Sequence, residues 1–327
     1  MNTFGNQFRL ALFGESHGEA LGILIDGLPA GIPLDEADFK NDLARRRSGA
    51  AGTTPRRESD RVRIAAGLYE GRTTGAPLAL LFTNENTRPG DYDRFAHHFR
   101  PSHADWVARE KFRGLNDPRG GGHFSGRLTL PLTAAGVVAK KLLDGVRFTT
   151  RLTEVGGECD PARFETVLRE AAAAGDSVGA VAECRAEGCG VGWGEPFFDT
   201  AEGLIAHLLY AIPGIKGVEF GDGFAAARLR GSEHNDPILN AAGTTATNHA
   251  GGVAGGILNG NPLIVRAAFK PTASIAREQF TFDAATGRQE PLAIGGRHDV
   301  CIAIRGAAAV EAAVAIALAD LKLRCRL

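Results

Sequence analysis

The sequence predicts an α+β fold on three observations. Apolar runs of strand length come in pairs and are followed by helical segments, without the strict strand–helix alternation of a parallel sheet. Glycine supplies 43 of 327 residues, well above the usual ~7%, and recurs along the whole chain as turn punctuation. The balance of 44% hydrophobic and 23% charged residues is sufficient for a packed core. No low-complexity linker interrupts the chain, so residues 1–327 read as one domain.

Phe8–Phe13 and Ala20–Asp26 read as strands on either side of a glycine-bounded turn. Leu34–Arg47 reads as a helix, capped by Asp35, with acids in its first turn and arginines in its last. Arg61–Leu68 and Ala76–Thr83 form a predicted hairpin. A helix capped by Ser102 is expected to reach Phe112, and another to run from Ser125 to Leu143 with Pro131 in its first turns. Val146–Val155 and Val178–Ala186 read as strands around an alanine-rich helix, Pro161–Ala174. Thr200–Ala211 is a predicted helix, and Val218–Phe220, Ala225–Leu229, Pro262–Phe269 and Val300–Ile304 are strand-like. Ala307–Leu323 closes the chain as an amphipathic helix. Ser16-His17-Gly18 with the residues after it echoes Asn248-His249-Ala250, which fits either internal pseudo-symmetry or coincidence in glycine-rich text.

The charges nearly cancel, 37 basic against 38 acidic residues, so no general affinity for nucleic acid or an anionic membrane is expected. Between Arg45 and Arg63 seven arginines face only Glu58 and Asp60, which reads as a solvated basic loop. The five cysteines are odd in number and contain no C-x-x-C pair, so reduced thiols and a cytoplasmic location are expected. The amino terminus lacks a signal-peptide pattern. The apolar stretch Ala307–Leu318 carries Glu311 and is too short to cross a bilayer.

Chemistry concentrates in a few segments. Gly14-Glu15-Ser16-His17-Gly18, Arg100-Pro101-Ser102-His103-Ala104-Asp105 and Arg297-His298-Asp299 each set a titratable group among glycines, serines or arginines. Glycine permits close backbone approach, arginine offers a fork for phosphate or carboxylate, and histidine moves protons near neutral pH. His17 also fits a surface turn, His103 an extra cap and Asp299 an ordinary salt bridge. The tract Asp117-Pro118-Arg119-Gly120-Gly121-Gly122-His123 leads into a helix, as phosphate-cradling loops do. It matches neither the Rossmann nor the Walker pattern. Lys270–Ser274 offers a cation and two hydroxyls. No histidine pair has metal-ligand spacing, and His97-His98 reads as a surface loop.

Taken in order, these segments resemble the chorismate synthase family. Gly14–Gly18, Arg45–Arg47, Arg100–Asp105, Arg119–Gly122 with Ser125, Asn248–Gly252, Lys270–Thr272 and Arg297–Asp299 share that family's order and approximate spacing, from about Phe4 to about Asp320. The resemblance implies a carbon–oxygen lyase of the shikimate pathway. Its reaction is a 1,4-trans elimination of phosphate from 5-enolpyruvylshikimate 3-phosphate, giving chorismate. Reduced FMN is required without net redox change, and NADPH serves only as an indirect reductant. The implied fold sandwiches helices between antiparallel sheets, and the implied assembly is a homotetramer.

The resemblance further implies that His17 protonates the departing phosphate and His103 acts on the reduced flavin. Asp299 would assist proton removal at the flavin, with Ser16 and Ser125 as helpers. Implied FMN contacts are His123, Phe124, Ser125, Pro213, Gly214, Gly255, Lys270, Pro271, Thr272, Ala273, Ser274 and Arg297. Implied substrate contacts are Arg46, Arg47, Arg100, Arg119 and Arg127, and no metal is expected. A substrate with two carboxylates and a phosphate calls for such a positive field. The family's Arg-Ser-Ser-Ala-Arg-Glu-Thr stands here as His123-Phe124-Ser125-Gly126-Arg127-Leu128-Thr129, so one arginine and one serine are missing. The basic loop is also about one residue shorter, and the carboxyl-terminal tail is short. Two other readings carry different products: a non-catalytic relative that keeps the basic cleft, and a metal-independent phosphatase with His17 as nucleophile.

Overall fold

The computed structural model describes residues 2–54, 58–85, 89–295 and 298–325. Two antiparallel sheets face each other with helices packed between them. The first contains β1 (Thr3–Phe4), β2 (Arg9–Gly14), β3 (Ala20–Asp26), β4 (Arg63–Ala66) and β5 (Leu78–Thr83), in the spatial order β1-β2-β3-β5-β4. Alternation sets its inner face: Leu21, Ile23 and Ile25 of β3 and Leu78, Leu80 and Phe82 of β5 are buried. The second sheet contains β6 (Arg147–Val155), β7 (Ala180–Glu187), β8 (Ile215–Phe220) and β9 (Leu263–Phe269), in the order β8-β9-β7-β6. Its inward residues include Ala182, Cys184 and Ala186 opposite Leu263, Val265 and Ala267. A separate hairpin joins β10 (Gln279–Asp283) to β11 (Arg288–Leu292).

The helices are α1 (Lys40–Arg46), α2 (Asp105–Phe112), α3 (Thr129–Leu142), α4 (Phe164–Ala173), α5 (Ala201–Ala211) and α6 (Ala303–Arg324). Of these α1, α3, α5 and α6 pack against one another. Small residues let them approach closely. A Cβ on Gly136 of α3 would lie 2.4 Å from the Ala312 Cβ of α6. Near its end, α6 turns the buried Asp320 toward the amino-terminal strands, where its carboxylate accepts the N–H groups of Asn6, Gln7 and Phe8. Among the described residues no helix is long and apolar enough to cross a membrane.

Most predicted elements lie within a few residues of their observed positions, and Ala20–Asp26 matches. Asp35 caps its segment as expected, in a capping box with Asp38, although the first turn is 3₁₀ and α1 proper begins at Lys40. Five expectations need correction. Val300–Ile304 is not a strand, because the segment enters α6 at Ala303. Ala225–Leu229 falls in and just after a 3₁₀ turn, Gly223–Arg228. The last helix is buried on nearly every side rather than amphipathic; its alanines hide a central helix behind weak periodicity. Ser102 does not cap α2: it sits at φ 56°, and the helix starts at Asp105. His98 is buried rather than on a surface loop, and the His97 Nδ1 lies 2.9 Å from Asp283. The echoed segments also differ, one forming β3 and the other the two-residue strands Val253–Ala254 and Ile257–Leu258.

Candidate active site

One cavity of about 1090 Å³ collects residues from both ends of the chain. Its wall includes Ser16, Arg46, Arg47, Arg100, His103, His123–Arg127, Pro213, Gly214, Lys270–Ser274 and Asp299. Among the described residues seven cationic side chains line it against three carboxylates. The distant turns therefore meet around one electropositive space, the condition that a triply anionic guest requires.

The glycine triplet is the keystone. Gly120, Gly121 and Gly122 all have positive φ, so the loop folds back without Cβ penalties. A Cβ on Gly120 would lie 2.4 Å from the His17 ring and 2.8 Å from the Ser16 Oγ. One on Gly121 would come within 3.3 Å of His103. Adjacent glycines thus seat the two histidines. His17 is buried, with Nδ1 3.2 Å from the Ser16 Oγ and its ring edge-on to Tyr92 at 4.9 Å. Ser16 and Tyr92 form part of the wall; His17 contacts both and is not itself among the lining residues.

The His103 Nδ1 lies 2.6 Å from an Asp105 oxygen. Burial pushes its pKa down, outweighing the Asp105 contact. Burial pushes Asp105 up, but hydrogen bonds from Arg100 and His103 hold it well below the usual carboxylate range. Arg100 is thereby committed: Nε and Nη2 each donate to Asp105 at 2.8 Å, and the guanidinium stacks 4.6 Å from the centre of Phe95. An ionised Asp105 fixes the His103 tautomer with hydrogen on Nδ1.

Arg46 is 2% exposed. It donates to the Thr129 hydroxyl and to the carbonyls of Gly126 and Arg127. Burial, reinforced by the neighbouring Arg305 charge, pushes its pKa down to about 9. Arg127 donates to Asn84 at 2.8 Å and to Asp60 at 2.7 Å. Arg47 reaches the Ser59 carbonyl. Asp299 accepts the Thr54 N–H at 2.8 Å and pairs with Arg305 at 3.2 Å.

At the other end, Gly214 needs its φ of 97° and lies against Ile302. Its carbonyl accepts the Lys270 N–H, and the Lys270 ammonium reaches the Ser102 carbonyl. Ser125 caps the 3₁₀ turn that precedes α3. The His123 imidazole spans the Gly14 carbonyl and the Asn2 side chain, while Phe124 lies against Phe112. Buried polar atoms without a hydrogen-bond partner include Thr272 Oγ1 and His298 Nε2, both on residues of the wall.

Two expected site residues lie elsewhere, and a third is not described. Arg119 is off the wall, 43% exposed and doubly bonded to Asp117. Gly255 occupies an exposed hairpin turn with nothing within 4 Å of a built Cβ. Arg297 lies outside the described residues, as do Arg56 and Arg57 of the basic loop. Conversely, Glu58, Asp60, His298 and Arg305 line the cavity but were not singled out from sequence as site residues. Two acids set inside an arginine run were the available signal for the first pair.

A family model for chorismate synthase matches residues 8–323. The chain belongs to the chorismate synthase family. A chorismate synthase from Chitinophaga pinensis is 56% identical over 324 residues, covering 99% of this chain and 97% of that one. Another from Korarchaeum cryptofilum is 44% identical, covering 98% and 96%. A crystal structure of a chorismate synthase shares the fold, with a TM-score of 0.74 at 26% identity and coverage of 98% and 93%. Helices sandwiched between antiparallel sheets, the arrangement expected from the resemblance, are what this chain adopts. As a chorismate synthase it is a carbon–oxygen lyase acting on a phosphate ester.

Proposed function

We propose that this chain, acting as one catalytic unit over residues 1–327, eliminates phosphate from 5-enolpyruvylshikimate 3-phosphate in the 1,4-trans sense to give chorismate. The reaction belongs to the shikimate pathway and uses reduced FMN. The observation that carries the reading is one electropositive cavity lined by Ser16, His103 and Asp299, with His17 in contact with Ser16. Its volume of about 1090 Å³ reaches the upper range of small-molecule sites, roughly 300–1,000 Å³, enough for a flavin and substrate together.

The cavity wall fits the cofactor. Pro213, Gly214, Phe124 and the Lys270–Ser274 strand exit offer backbone, apolar and cationic contacts. The Thr272 hydroxyl and His298 Nε2 are buried without partners, as polar groups awaiting a ligand are. Bound reduced flavin supplies transient electron density, and the protein orients it and excludes water. His123, whose ring is committed to Gly14 and Asn2, holds the amino-terminal strand against this loop. It does not replace the family's arginine as a free cation.

Arg46, Arg47, Arg127 and Arg305 hold the anionic substrate. Ser16, on the wall and in hydrogen-bond range of His17, passes the His17 proton to the departing phosphate. His103, kept neutral by burial and fixed by Asp105, presents Nε2 as its proton-exchanging atom. Asp299, tied to Arg305 and the Thr54 N–H, is the carboxylate placed to take up a proton. A homotetramer in the cytoplasm, with NADPH only as an indirect electron source, completes the proposal.

Anaerobic incubation of the protein with reduced FMN and substrate tests it. Chorismate absorbance supports the lyase. Phosphate release without chorismate means a phosphatase, and neither product means a binding protein. His17→Ala should keep flavin binding and lose about 10²- to 10⁴-fold in turnover. Unchanged turnover removes His17 from the mechanism.

A further inference from the structure

Arg46, Arg127, Glu58 and Asp60 all line the cavity, and none of the four side chains is more than 7% exposed. Asp60 stands between the arginines. One oxygen accepts from Arg127 Nη1 at 2.7 Å, and the other lies 3.5 Å from Arg46 Nη1. Glu58 is 4.0 Å from Arg127 Nη2. Those two nitrogens, Arg46 Nη1 and Arg127 Nη2, are buried without hydrogen-bond partners. Attraction across 3.5–4.0 Å neutralises charge but does not supply the missing bonds. An unmade bond to a buried charged donor is costly. The cluster therefore keeps unused donor capacity on two cations that already hold a carboxylate.

An incoming anion that uses those donors must share them with Asp60 and approach its negative charge. At separations near 4 Å such like-charge repulsion is substantial even in a well-screened protein interior. Asp60 also sits at φ 47°, in the left-handed region that aspartate adopts more readily than most residues.

We propose that Asp60 is a resident competitor in the anion site. Its carboxylate shares Arg46 and Arg127 with the anionic groups of substrate and product, keeping the guanidiniums compensated when the site is empty and loosening their grip so that product leaves. This inference rests on the reading of the cavity as the site of an anionic substrate.

The test is calorimetric titration of the full-length, flavin-free protein with inorganic phosphate. Asp60→Asn should bind phosphate about tenfold more tightly than the wild type. Phosphate should also raise its melting temperature by more than it raises that of the wild type. Equal or weaker phosphate binding would overturn the inference and leave Asp60 as a positioning residue. If Asp60→Asn does not fold, Glu58→Gln replaces it. A smaller gain in phosphate affinity is then expected, and no gain overturns the proposal. Tighter phosphate binding without chorismate formation defeats only the lyase reading. Chorismate formation with unchanged phosphate affinity defeats only this one.

Discussion

Arg45 and Arg46 are adjacent in α1, yet they enter ion networks of opposite character, the first half-exposed at Arg45 and the second buried throughout. Arg45 forks onto Glu311 of α6 at 2.7 and 2.8 Å, and Lys140 of α3 reaches both Glu311 and Asp42. None of those side chains is among the buried polar groups without a partner. Arg46 and Arg127, by contrast, each keep an unbonded buried nitrogen although two carboxylates stand nearby. Saturation marks the first network as a clamp between three helices. Residual hydrogen-bonding capacity marks the second as a place for a ligand. Charge alone would have classed the two together.

The largest effects should separate the networks by what is lost. Arg46→Ala should lower kcat/KM by about 10²- to 10³-fold, mainly through KM, in anaerobic steady-state assays. Glu311→Ala, which strands the partly solvated Arg45 and Lys140, should cost about 1–3 kcal/mol in urea unfolding and leave KM near the wild-type value. A comparable rise in KM for both variants would erase the distinction.

Glu311 also gives a pH signature. Burial pushes its pKa up, but the Arg45 hydrogen bond and the Lys140 charge hold it at about 2, against an ordinary 4.5. A depressed folded-state pKa contributes stability that is complete above pH 4.5 and lost as pH falls from there toward 2. The shift corresponds to on the order of 3 kcal/mol. Urea melts of wild type and Glu311→Gln should therefore converge as the buffer is acidified through that window. Parallel pH curves would mean that Glu311 gains nothing from its partners.

A smaller effect probes the keystone loop. Gly120→Ala must find room where a Cβ would lie 2.4 Å from His17, at φ 59°. Turnover should fall about tenfold or more, with a stability cost of about 1–2 kcal/mol. Gly126→Ala, where nothing lies within 4 Å of the added Cβ, should do neither. Equal effects at both positions would show that the His17 seat tolerates displacement.

The sequence disclosed most of this architecture because its strands alternate and its turns carry glycine. Ala20–Asp26 reads as β3 since every inward position holds Leu or Ile. The errors share a cause, which is tertiary context overriding local preference. Val300–Ile304 is β-branched text spent on the entry to a helix, and α6 lacks strong periodicity because the second sheet and three helices surround it. In the site, the histidines and Asp299 were legible from their glycine and arginine neighbours. Asp60, Glu58 and Arg305 were not. Within a run of arginines the two acids read as charge balance, and only the fold shows Asp60 between Arg46 and Arg127 with Glu58 beside Arg127.

The smallest expected effect concerns Arg119, the arginine whose expected role the geometry does not support. The family resemblance places it on the substrate, whereas here its guanidinium is exposed and bonded to Asp117 two residues away, off the cavity wall. That pair raises the Arg119 pKa and lowers that of Asp117, so each already has its counter-charge. An exposed pair of this kind contributes about 0–1 kcal/mol. Arg119→Ala should therefore change KM by less than about twofold, against the far larger change at Arg46. A tenfold rise in KM would instead mean that the Asp117–Gly122 loop turns Arg119 inward when ligand arrives. The glycine triplet would then be a hinge as well as a seat for the two histidines.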